Sequence, residues 1–144
     1  MLLLLIVLAC DPGFVYHPRG WERVERYEWS MRINDIEIRT DIVVGLIGDK
    51  SFDPEFKIIN NSAERVVIED AQLLTAERTY PVEFAGNGEL RWRSASPGSE
   101  ARITLGWSFE QYALEVLGDR PKIVLDLRLG EEQHQVEIEY ERIQ

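Results

Sequence analysis

Reactive side chains are scarce in this chain of 144 residues: one thiol, Cys10, and two imidazoles, His17 and His134. Cys10 closes an apolar run from Leu2 to Ala9, with the small Ala9 directly before it and the structure-breaking Asp11-Pro12-Gly13 directly after. A single cysteine excludes an intramolecular disulfide. No Ser or Cys stands in a nucleophile-elbow pattern, and a Ser-His-Asp site would have to assemble from distant residues, so no enzyme is expected. Soft-metal chemistry has only His17, His134 and Met31 to draw on, and no spacing groups them. Asp49, Asp53 and Glu55 share one Gly/Pro loop and offer hard oxygen ligands suited to Ca²⁺. Their spacing does not match an EF-hand, and a solvated acidic loop is the simpler reading. Glu137, Glu139 and Glu141 alternate and share one strand face. Carboxylate pairs act on glycosidic bonds in clefts. Here they read as the wet face of an edge strand, with Arg91 and Arg93 available to pair across it. No metal or cofactor is expected.

The elements that position these residues begin with the apolar run. A membrane-spanning helix needs about 20 apolar residues. The shorter stretch Leu2–Ala9 has the length of a signal-peptide core. Val7-Leu8-Ala9-Cys10 resembles a bacterial lipobox, and the resemblance implies a diacylglycerol on the Cys10 sulfur and cleavage after Ala9. Two or three acyl chains on one residue hold a domain firmly on a membrane. Asp11 resembles the inner-membrane retention signal that enteric-type bacteria place after the lipidated cysteine. No Lys or Arg precedes the run, a departure from the usual positive start. The predicted organisation is a signal peptide over 1–9, a lipidated tether over 10–23 and a β-sandwich over 24–144. Pro12, Gly13, Pro18 and Gly20 mark the tether, with Phe14, Tyr16 and Trp21 expected to pack on the domain edge.

Composition fits a folded domain: 44% of residues are hydrophobic. The formal charge of −10 argues against nucleic-acid partners and anionic lipid headgroups.

From Tyr27 the hydrophobic period is two, the signature of strands. Tyr27, Trp29, Met31 and Ile33 alternate, and the phase flips at Asn34-Asp35 into Ile36, Ile38, Ile42 and Val44, which calls for a turn or bulge there. Further strands are predicted over Phe56–Ile59 and over Val66–Leu74, the latter with a bulge near Glu69-Asp70. Tyr80–Phe84 and Leu90–Trp92 follow, joined by a Gly86-Asn87-Gly88 turn. Ala101–Phe109, Ile123–Leu129 and Val136–Tyr140 complete the set, and Trp92 and Trp107 are expected in the core. One short helix is predicted near 109–117, from the capping-box spacing of Ser108 and Gln111 and the stop at Gly118. About eight strands with short turns predict an all-β antiparallel sandwich.

Phe56-Lys57-Ile58-Ile59-Asn60-Asn61-Ser62, and Ser96-Pro97-Gly98-Ser99-Glu100 leading into the Ala101 strand, resemble the immunoglobulin-like accessory domains of bacterial envelope lipoproteins. The resemblance covers roughly residues 35 to 140. It implies an immunoglobulin-like fold, an extracytoplasmic setting and a non-catalytic binding or assembly role. The expected partners are a membrane, through lipid on Cys10, and another envelope protein. The alternative is a small-ligand or Ca²⁺ carrier. The Asn60-Asn61-Ser62 sequon reads as a plain turn.

Overall fold

The computed structural model describes residues 13–85 and 94–143. The lipobox, Asp11, the Gly86-Asn87-Gly88 turn and Arg91, Trp92 and Arg93 lie outside these residues. The chain is all-β, with two curled antiparallel sheets packed face to face. Fourteen strands lie among the described residues, more than the eight expected.

The strands are β1 (Phe14–Pro18), β2 (Glu22–Glu25), β3 (Glu28–Ile33), β4 (Ile36–Asp41), β5 (Val43–Gly45), β6 (Ser51–Phe52) and β7 (Glu55–Asn60). They continue with β8 (Val66–Leu74), β9 (Thr79–Pro81), β10 (Phe84–Ala85), β11 (Ser94–Ala95) and β12 (Glu100–Ser108). The one helix among the described residues, α1 (Ala113–Leu117), precedes β13 (Lys122–Leu129) and β14 (Glu132–Arg142). The first sheet runs β11-β8-β13-β14-β1-β5, with β9 also on β8; the second runs β10-β12-β7-β4-β3-β2, with β6 also on β12.

The larger count comes in part from short strands in segments that read as tether or loop, β1, β2, β6 and β11, and in part from runs that the sequence pattern joins and the fold divides. Ile36 to Val44 reads as one alternating strand, but the chain leaves the second sheet after Asp41 and enters the first at Val43. Tyr80 to Phe84 divides the same way, β9 pairing with β8 and β10 with β12. Asn34-Asp35 is a two-residue hairpin turn, with Asn34 at φ 52° and Ile33 opposite Ile36. The bulge predicted near Glu69 is present: Asp126 pairs with Asp70 and Leu127 with Ile68, leaving Glu69 as the extra residue.

The expected tether is part of the fold from Gly13 onward. β1 lies between β14 and β5, and Phe14 and Tyr16 are core residues rather than edge packing. Pro18 is tolerated because it ends the strand. The expected helix is shorter than predicted, and its capping box is unused. β12 runs through Ser108, whose N–H donates to the Glu83 carboxylate at 2.9 Å, and the Ala113 N–H is taken by the Asp49 carbonyl at 2.8 Å. The core is one cluster from both sheets, with Trp107, Tyr16, Tyr140, Phe14, Phe52 and Phe56 as its largest members. Trp107, as expected, is inside, and its indole N–H donates to the Tyr80 carbonyl at 3.2 Å.

Candidate functional site

The residues singled out for chemistry do not converge. The Asp49 carboxylate accepts the Leu46 N–H at 2.8 Å and so closes its own turn, while Glu55 reaches Arg102 at 3.7 Å. Asp53 is exposed between them. Among the described residues no three His, Cys, Asp or Glu side chains form a group able to hold a metal ion. His17 sits in β1, its ring 5.4 Å from that of Trp29 and its Nε2 3.9 Å from Glu141. His134 lies seven positions along β14 from Glu141, the residue opposite His17, roughly 23 Å away along the strand. Its place beside the turn between Gln133 and Gln135 suggests a solvent-facing ring, but the parity of His134 is inward. It shares the phase of Val136 and Ile138, lies opposite the buried Leu127, and is half-buried. Met31 packs partly against the core.

Glu137, Glu139 and Glu141 do share one face, but β14 is an interior strand between β13 and β1 and not the expected edge. Lys122 meets Glu137 at 3.5 Å.

Two places on the surface stand out. The first is a recess of about 540 Å³ on the outer face of the first sheet. The β8 bulge turns the Glu69 carboxylate toward Arg128, at 3.0 Å, and Gln133, at 3.2 Å. Beside it Asp70 and Asp126 stand directly opposite each other. Like charges so placed repel. The Gln135 amide donates to Asp126 at 3.3 Å, and Asp70 has no ion-pair partner among the described residues. The bulge was legible in the sequence, but its alignment with Asp126 depends on strand register and was not.

The second is the edge formed by β1, β5 and the turn after it. Gly45 lies under the ring of Phe14, and a Cβ there would fall 1.9 Å from a ring carbon, so only glycine lets β5 approach β1 this closely. Gly13, at φ +87°, is pressed on Ile47, where a Cβ would meet the Ile47 nitrogen at 2.5 Å. The turn Leu46-Ile47-Gly48-Asp49 is closed by the Asp49 N–H to the Leu46 carbonyl at 3.1 Å. Behind this edge Tyr16 donates its hydroxyl to the Gly118 carbonyl, tying β1 to the end of α1. Burial pushes the Tyr16 phenol up to about 12, against the opposing pull of Arg142, so the hydroxyl remains a donor throughout the neutral range. The signal for this edge was present: Leu46-Ile47 is an apolar pair between two glycines in a segment that reads as loop.

No protein-family model matches this chain, and no curated protein matches it. No helix among the described residues is long and apolar enough to cross a membrane.

Proposed function

We propose that this chain is a lipid-anchored module of a bacterial envelope with no catalytic step of its own. It would hold a β-sandwich at a membrane surface and present the outer face of the first sheet to another envelope component. The observation that carries this reading is the junction between Cys10 and the fold. The lipobox-like cysteine is followed within three residues by Gly13, which is packed on Ile47, and then by an interior strand. An acyl group on Cys10 is thereby joined to the core itself. The paired Asp70 and Asp126 on an open face support recognition of a partner, since the repulsion between them is relieved by a cationic group placed across both. We read the fold as a variant of the immunoglobulin-like accessory domains that the Asn60-Asn61-Ser62 and Ser96-Pro97-Gly98-Ser99 segments resemble, with its long strands divided between sheets.

Metabolic labelling with a fatty-acid analogue, wild type beside Cys10→Ser, tests the anchor. Label only in the wild type is the expected result, and label in neither would remove the membrane from the reading. A photo-crosslinker at Gln133 or Gln135 should then trap one defined partner, and only abundant random neighbours would count against the module.

A further inference from the structure

Among the described residues seven large hydrophobic side chains are markedly exposed, and five of them lie near one another. Val44, Leu46 and Ile47 are 55%, 61% and 62% exposed, and Ile143 and Tyr112 are also open to solvent. Val44 lies opposite Val15, and Ile143 donates its N–H to the Val15 carbonyl at 2.9 Å, so one apolar row crosses β14, β1 and β5. Leu46 and Ile47 extend that row through the turn, and the bond from Ala113 to the Asp49 carbonyl brings Tyr112 beside it. Isolated exposed hydrophobics are ordinary, whereas a contiguous group marks a contact surface. Gly13 packs on this same turn.

We propose that this patch is the membrane-contact surface of the domain, resting in the boundary between headgroups and acyl chains and fixing the domain's orientation. The inference rests on lipidation of Cys10. Three residues of chain from Cys10 to Gly13 span at most about 10 Å. A lipidated Cys10 therefore cannot hold the domain far from the bilayer, and the surface nearest to it is the one bearing Ile47. Tyr112, with Lys50 5.9 Å from its ring centroid, is the kind of pair that sits at headgroup level, the ring in the interface and the amine in water. The β5 edge sets the depth. An open strand edge cannot enter hydrocarbon, so the patch stays where water and headgroups still bond its backbone. The net charge of −10 favours zwitterionic over anionic lipid.

Cys10 is the only cysteine, so acylation leaves the chain without a free thiol and an introduced cysteine becomes unique. The test uses full-length lipidated protein reconstituted in phosphatidylcholine vesicles that carry a lipid-borne spin-label quencher. An environment-sensitive fluorophore is placed at Ile47→Cys, at Leu46→Cys as a second site, and at Gln133→Cys on the recess as the distant control. Mass spectrometry reports the acyl group, and thermal melts report the fold. Several-fold stronger quenching at 46 or 47 than at 133, with a blue-shifted emission, is expected. Equal quenching at all sites on acylated, folded protein overturns the patch and leaves the anchor standing. So does burial of the 46 or 47 probe by a second copy or a protein partner in the absence of vesicles. Unacylated Cys10 overturns the anchor and the patch together.

Discussion

Single residues in this fold do structural work that their types only partly announce. Asn60 belongs to a segment that reads as a turn, yet it is fully buried. Its amide donates to the carbonyls of Glu64 and Ala95 and its oxygen accepts from Ser62, latching the end of β7 to β11. On the outer face of the second sheet Arg39 donates to Glu37 at 2.8 Å and to Glu28 at 2.9 Å, and Ser30 donates to Glu37 at 2.8 Å. The Arg39 bond, more than any other influence, holds the Glu37 carboxyl below the usual carboxylate range, against the opposing effect of burial. A lowered folded-state pKa stabilises the fold above the ordinary Glu range, and that contribution is lost as pH falls through the lowered value. Glu37→Gln should cost about 1 kcal/mol at neutral pH. In denaturant titrations the gap from wild type should close as pH drops below the usual glutamate pKa of about 4.3. A gap of constant size down to low pH would show that shape, not charge, is what Glu37 supplies. The alternation of β3 and β4 made their facing legible, but the clustering of Glu37, Arg39, Glu28 and Ser30 follows from register across two strands.

At the scale of elements, local period and long-range pairing contributed differently. β8 and β12 were legible almost to the residue, because each alternates over a long run with one face largely buried, and the phase change in β8 was itself readable as a bulge. β1 was not. Its Pro18 and the Pro12, Gly13 and Gly20 around it have the composition of a spacer, and what makes it a strand is pairing with β14 and β5, neither of which is a sequence neighbour. The passage of the chain between sheets at Ile42 was equally hidden, since alternation carries no mark of which sheet receives the next residue. The β1–β5 contact also yields a prediction. Gly45→Ala should push the Phe14 ring against a packed core and cost about 1–3 kcal/mol. Hydrogen exchange should locate the loosening in β5 and the 46–49 turn, and protection equal to wild type there would show that Phe14 has room to move.

For the whole molecule, the proposed anchor and the recess stand at different places on one sheet. β8 is four strand positions from β5, roughly 19 Å at the usual spacing, with β13, β14 and β1 between. A domain resting on its β5 edge would carry the recess sideways and clear of the headgroups. That geometry depends on the short connection to Cys10. A Gly/Ser insert of about ten residues before Gly13 adds a coil about 17 Å across. It should leave acylation and melting temperature unchanged while broadening the cross-linking pattern from Gln133. An unchanged pattern would show that the partner, not the membrane, orients the domain.

The pairing of Tyr16 with Arg142 has a further consequence, for timing. Among the described strands β1 comes first in the chain and its neighbour β14 last. The first sheet therefore cannot close until every strand between them has been made, and a topology so dominated by distant pairings folds slowly. Until β14 arrives, Phe14 and Tyr16 have no covered place to go.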